Sequence, residues 1–271
     1  MFKHFVVFLL LISFQSEAQI KRHLQVVMRL EMPNGPGENG GTVALNTRNK
    51  NYYATIAGSK AYSLAIFNGL PELLSPPDLA LLYDIRGLWY HPKDQTFYAN
   101  THGNTGWIKY TIDKMGIPYD AKVAYTGQRQ PFPQSVGQYS QKENIVYFLK
   151  GSTAVAYDAN SGNPLPEKNK LLKVGYTKKS PPPADVQLDS FSVRFGYNST
   201  TLIYTGIAQS EFGLLNVKNR EIELYSAADG LLTTRLKIPE TVPVKDKLNF
   251  AFCNNIYWLY DDSSRSWAGM R

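Results

Sequence analysis

An all-β ring of repeated four-stranded blades, a β-propeller, is the fold class this sequence predicts, and three observations predict it. The first is a repeat. Five segments, 42–54, 87–99, 135–148, 192–205 and 249–260, each read as two strands around a short polar turn, with an aromatic in the second strand at Tyr53, Tyr98, Tyr147, Tyr204 and Trp258. The intervals are 45, 49, 57 and 54 residues, the length of one blade. The second observation is that four of these pairs lead into a third strand ending on a large apolar residue, then a polar residue and a glycine turn. It occurs at Phe67-Asn68-Gly69, Ile112-Asp113 with Gly116, Tyr157-Asp158 with Gly162, and Tyr225-Ser226 with Gly230. Glycine and Asx residues supply the positive φ such turns need. The third observation is at the termini. The last unit stops at Arg271 after three strands, while an orphan strand, His23 to Met32, precedes the turn PNGPGENGG. That strand is expected to complete the last blade and close the ring.

Taken in order, the chain begins with Lys3, the apolar run Phe5 to Phe14, and Ser16 and Ala18 at the small-residue positions of a cleavage site, the pattern of a secretion signal. Ten helical residues span roughly 15 Å, half of a ~30 Å hydrocarbon core, so no membrane anchor is expected. Residues 1–18 are read as a signal peptide and 19–271 as a single propeller domain, exported to a periplasmic or extracellular location. Removing Lys3 and Glu17 leaves the net charge at +7. Five blades are favoured. A sixth, degenerate blade is the alternative, because 21 residues separate Tyr204 from Tyr225 where 14 separate the matching positions of the first two units. The segment 176–185 contains three prolines, which rule out a central strand there.

The basic residues are scattered over turns, at Lys21, Arg22, Lys93, Lys142, Lys168, Lys170, Lys178 and Lys179. They form no stripe interleaved with aromatics, so nucleic acid is not an expected partner. The single cysteine, Cys253, cannot form an internal disulfide and reads as a core residue.

The turn YDANSG (157–162), the run YSAADGLLTTRLKIP (225–239) and the recurrent aromatic second strand resemble the blades of secreted propellers of the YVTN and Kelch-like kind. The resemblance covers nearly the whole chain after residue 18. It implies a fold whose members mostly bind proteins, glycans or small ligands, and among whose relatives are hydrolases, lyases and quinone-dependent dehydrogenases.

Signatures that carry chemistry on their own are missing. There is no HExxH, GxSxG, Walker glycine loop or CxxC. DANSG (158–162) imitates the start of a calcium loop, but Asn163 stands where glycine is needed and Asn169 where the bidentate glutamate belongs; it reads as a hairpin turn. Asp261-Asp262 would need ligands from another blade. No metal and no cofactor are expected. His23 and His91 read as solvated surface residues, whereas His102, in the loop NTHGNTG after a second strand, faces the side where each first strand begins. Residues just ahead of the first strands, Asn39, Arg86, Gln134, Asp189 and Asn249, are expected to form a polar collar at the channel mouth, suited to hydrogen-bonding a ligand. The leading expectation is a noncatalytic, monomeric propeller binding a protein or glycan partner through this face. The alternative is a hydrolase or lyase using His102 with Arg86 or Asp189. A third is a structural domain, which exposed aromatics such as Tyr62 and Trp107 gathered in one patch would favour.

Overall fold

The computed structural model describes residues 20–35, 37–183 and 196–271. In chain order its strands are β1 (Ile20–His23), β2 (Val26–Glu31), β3 (Asn39–Leu45), β4 (Tyr52–Ala57), β5 (Leu64–Phe67), β6 (Ile85–His91), β7 (Thr96–Thr101), β8 (Trp107–Ile112), β9 (Pro118–Tyr125), β10 (Gln138–Ser140), β11 (Ile145–Lys150), β12 (Thr153–Asp158), β13 (Lys170–Leu171), β14 (Tyr197–Tyr204), β15 (Phe212–Asn216), β16 (Glu221–Tyr225), β17 (Leu232–Lys237), β18 (Phe250–Cys253), β19 (Ile256–Asp261) and β20 (Ser266–Met270). They form five sheets: β3-β4-β5, β6 to β9, β10 to β13, β14 to β17 with β1 outside, and β18-β19-β20 with β2 outside. These are the blades of a five-bladed β-propeller, and the sixth-blade alternative falls away. The segment 1–18 lies outside the described residues.

A strand in the middle of a blade is covered by a neighbouring blade on each face, so its apolar residues run without alternation. Strands β4, β7 and β15 are accordingly buried at every position. Aromatics carry most blade-to-blade contacts. Tyr53 meets Phe97 with ring centroids 4.1 Å apart, Trp107 meets Phe148 at 6.2 Å, Tyr147 meets Phe212 at 5.0 Å, and Tyr52 meets Trp258 at 5.4 Å. Mixed apolar packing joins the fourth blade to the fifth, with Ile203, Leu215, Phe250 and Leu259 gathered beside Leu24. The third-strand turns close as their residue types demand. Asp113 Oδ1 accepts from the amides of Met115 and Ile117, at 2.9 and 2.8 Å, and Gly116 between them has φ +89°.

The ring closes through the N-terminal strand. β2 runs antiparallel to β20, pairing Val26 with Met270 and Leu30 with Trp267, and Gln25 and Arg271 exchange backbone hydrogen bonds of 2.8 and 3.0 Å. The closing segment is longer in reach than the single expected strand. It breaks at Leu24-Gln25, and β1 continues parallel to β17 in the fourth blade, from Ile20 beside Thr234 to His23 beside Lys237. Leu24, 4% exposed, plugs the crossing point.

Three expectations need correction. Tyr204 is not on a second strand: β14 is one strand over Tyr197–Tyr204, the first of its blade, and β15 is the second. The polar run Asn198-Ser199-Thr200 makes a bulge, with pairing stepping from Tyr197↔Asn216 to Leu202↔Leu214 and Asn198 Oδ1 accepting from the amides of Thr200 and Thr201. Residues 192–195, read as part of the first strand, lie outside the described residues. Second, the first blade lacks a regular fourth strand. Pro71, Pro76 and Pro77 interrupt it, and irregular chain satisfies the β5 edge instead, through Leu74 N to Ile66 O (2.7 Å), Leu64 N to Leu79 O (2.8 Å) and Ile66 N to Ser75 Oγ (3.1 Å). Third, Trp107 is fully buried and Tyr62 half-buried, so these two form no exposed aromatic patch.

Candidate functional site at the channel mouth

The inner strands β3, β6, β10, β14 and β18 each stand at the edge of their sheet and line the central channel. Asn39, the first residue of β3, Ser135, just ahead of β10, and Thr200, within β14, border a cavity of about 460 Å3. This is the mouth.

A β-bulge sets the first group of polar residues. Ile85 pairs with Thr101 and Gly87 with Asn100, leaving Arg86 as the extra residue, and bulges re-aim a side chain in this way. Arg86 is 3% exposed, and a buried guanidinium needs an anion and full hydrogen bonding. Nη1 and Nη2 donate to the two carboxylate oxygens of Asp84 at 2.5 and 3.3 Å, Nη1 also donates to Ile85 O at 2.9 Å, and Nε donates to Gln134 Oε1 at 2.6 Å. Asp84 Oδ1 further accepts from Gly58 N at 3.0 Å, and Asp84 Oδ2 lies 4.0 Å from Nδ1 of the exposed His102. His102 N donates to Asp84 O at 2.7 Å. Arg86, Gln134 and His102 thus come together around Asp84, which the sequence reading missed because it stands two residues ahead of the bulge.

Asn249 and Asn39 form a second pair. Asn249, 2% exposed with φ +57°, accepts from Gly40 N at 2.5 Å and donates to Asn39 Oδ1 at 3.2 Å and Lys247 O at 3.1 Å. It pins β18 to β3, while exposed Asn39 borders the cavity with exposed Gln134. Arg86, His102 and Asn249 are not in the cavity wall, and Asp189 lies outside the described residues. Sequence reading also missed Phe132, 49% exposed, and Lys247 in that wall, together with Lys245, which pairs with Asp262 at 3.1 Å.

Below the mouth two neighbouring inner strands are pinched together. Asn100, fully buried, accepts from the amides of Gly87 and Gly137 at 3.0 Å each and donates to Gln130 Oε1 and Ser135 O at 2.6 and 2.8 Å, drawing β6 and the start of β10 together. Ala57, Val136 and Leu248 form a small buried apolar cluster, with Leu248 also in the wall of the mouth cavity.

The turn residues with cation-binding looks are engaged locally. Asp158 Oδ1 accepts from Asn160 N and Ser161 Oγ, both at 2.9 Å, and Asn169 Oδ1 accepts from Ala156 N at 2.9 Å. Asp261 accepts from Ser263 and Ser264, whose hydrogen bonds outweigh the upward push of burial and hold its carboxyl below the usual range. Among the described residues no three His, Cys, Asp or Glu side chains gather as a metal site.

His91 corrects another expectation. It is 5% exposed, not solvated, because the β6–β7 turn folds its ring between Tyr98 and Tyr139. Its Nδ1 accepts from Asp94 N at 3.3 Å, and its Nε2 lies 3.3 Å from Asn144 Oδ1. Asp94 accepts from Lys109 Nζ at 2.8 Å and Tyr98 OH at 2.5 Å. The Lys109 hydrogen bond first, then that of Tyr98, holds the Asp94 carboxyl below its ordinary range, while burial and Asp94 push the Tyr98 phenol up to about 12. This network ties the second blade to the third.

No family model matches the sequence, and no curated protein matches it either. Among solved structures, the chain is similar to glutaminyl cyclase from Myxococcus xanthus, at 7% identity and a TM-score of 0.55, over 94% of this chain and 98% of that one. It also aligns with XC5397 from Xanthomonas campestris, a gluconolactonase, at 10% identity and a TM-score of 0.47 over 91% and 88% of the two chains. A third alignment is with an auxiliary nutrient binding protein from Bacteroides thetaiotaomicron, at 11% identity and a TM-score of 0.44 over 88% and 60%. At such identities the Myxococcus likeness is one of fold, and what it supports is the propeller ring.

Proposed function

We propose that this chain is an exported, noncatalytic binding propeller that holds a polar partner, a glycan chain or an extended protein segment, over the mouth where the inner strands begin. The observation that carries the reading is that the charged groups packed at the mouth are taken up by one another, while Asp246 and Lys247 in its wall stay exposed. Arg86 faces Asp84 and Gln134, and Lys245 faces Asp262. Both oxygens of the Asp84 carboxylate are taken by the Arg86 guanidinium, and Gly58 N donates to one of them as well. What stays open to a partner is the exposed ring of Phe132, the exposed amides of Asn39 and Gln134 and the side chains of Asp246 and Lys247, around a volume within the ~300–1,000 Å3 of ligand pockets. Export is supported by the apolar run and small-residue site before Gln19, and a binding role by the likeness of the blade sequences to secreted propellers of the YVTN and Kelch-like kind.

The test is an array of glycans and peptides probed with the full chain and three variants. Phe132→Ala and Gln134→Ala are expected to weaken the captured partner about tenfold, a loss of about 1.4 kcal/mol, and His102→Ala to leave binding unchanged. One observation favours an enzyme, the approach of His102 to Asp84 in a ring shaped like that of a glutaminyl cyclase. Turnover of N-terminal glutaminyl peptides, lactones or glycans by the wild type, lost in His102→Ala, would overturn the binding reading.

A further inference from the structure

The opposite end of the channel holds a second cavity, of about 300 Å3, among the far ends of all five inner strands. Its wall differs in kind from the mouth. In a chain with 29 basic and 22 acidic residues, none of the described residues lining it is Lys, Arg, His, Asp or Glu. Half-buried Tyr139, Tyr204 and Phe252 supply rings, and exposed Gln141 and Asn254 supply amides at the rim. Burial pushes the phenols of Tyr139 and Tyr204 upward and the thiol of Cys253 up to about 12, so these groups are uncharged at neutral pH.

Gln138 gives the cavity its demand. It is 7% exposed and lines the cavity, and its side-chain amide is open to the cavity with no protein partner among the described residues. An amide held in that wall and open to the cavity can both donate to and accept from a ligand. The channel-side backbone groups of the inner strands also lack strand partners, since each inner strand is the edge of its sheet. The cavity therefore combines donors and acceptors with aromatic surface and no counter-charge.

We infer that this cavity is a binding site for a single uncharged sugar ring. The hydroxyl edge of a pyranose both donates and accepts, which matches amides and edge-strand backbone, and its C–H faces lie against phenyl and phenol rings. A charged ligand would be desolvated with nothing to pair it. A purely apolar one would leave the Gln138 amide unmet. The site is separate from the mouth, because the two cavities share no lining residue.

The experiment titrates the full chain with methyl glucoside, methyl galactoside, methyl mannoside and N-acetylglucosamine, read by calorimetry and by the fluorescence of Trp89, which lines the cavity. Saturable binding of at least one sugar is expected. Gln138→Leu should weaken it at least about tenfold. Gln141→Ala, at the exposed rim where folding is not at stake, should weaken it about threefold, and Phe132→Ala at the mouth should leave it unchanged. The inference is overturned if no sugar binds, if Phe132→Ala abolishes binding while Gln141→Ala spares it, or if phenol binds more tightly than every sugar. The mouth reading stands or falls separately on Phe132 and Gln134.

Discussion

Gly87 has no room for a methyl group. A Cβ placed there would lie 2.5 Å from Asn100 Oδ1 and 2.6 and 2.7 Å from the backbone N and O of Gly137, and backbone atoms cannot swing aside as side-chain ends do. Gly87→Ala is expected to cost about 3 kcal/mol, measured by urea unfolding. A loss below about 1 kcal/mol would mean that the two inner strands separate easily. Asn100 is the other half of the pinch, and its amide answers two donors and two acceptors at once. Asn100→Leu leaves all of them buried and unmet, so a loss of about 3 kcal/mol or more is expected in the same assay. Asp94 makes a pH-dependent contribution. Its pKa is lower in the fold than in the unfolded chain, chiefly through Lys109. The stabilisation is therefore present above the unfolded value of about 3.9 and is lost as pH falls through the folded one. The melting temperature of Asp94→Asn should lie below wild type at pH 7 and converge on it in acid. A difference that persists unchanged at the lowest pH would show that the carboxylate charge is not what matters.

At the scale of elements, the seam at β2 is the sharpest case. A chain starting at Gly40 lacks both β1 and β2, so the edge of β20 loses its ladder, at about 1 kcal/mol net for each bond, and the cluster containing Leu30, Trp258 and Trp267 opens on one side. Such a chain should be insoluble, or molten with weak near-UV circular dichroism. A cooperative, wild-type-like melt would show the closing strand to be dispensable. The strands themselves were largely legible in the sequence, because what specifies them is local. Asp113 and Gly116 make their turn with bonds spanning at most four residues, and Tyr53, Tyr98, Tyr147 and Trp258 sit on second strands as their spacing implies. Tyr204 was misplaced because Asn198-Ser199-Thr200 has the composition of a turn, while pairing with β15 and contacts to Lys245 and Leu248 far along the chain make it a bulge. The same limit explains the mouth. Arg86 and Gln134 could be placed from their positions ahead of first strands, but Asp84 joins them only through the bulge in β6, and His91 is buried by Tyr139 from the next blade.

The whole molecule is a closed ring, and closure changes how it should fail. In an open repeat array each unit touches only its neighbours, so an end unit can unravel while the rest persists. Here residues 20–31 clamp two blades, β2 on the fifth and β1 on the fourth, and Leu24 sits in the core they share. Every blade therefore has a packed neighbour on both sides, and releasing the seam would expose buried aromatic faces at once. Leu30 tests this, being fully buried beside Trp267 and remote from the second and third blades. Leu30→Ala should remove about 2–4 kcal/mol. If the ring is one cooperative unit, native-state hydrogen exchange will show the amides of β7 and β11 losing protection by the same factor as those of β20. Loss confined to β2 and β20 would mean that the seam opens by itself, leaving a four-blade body intact.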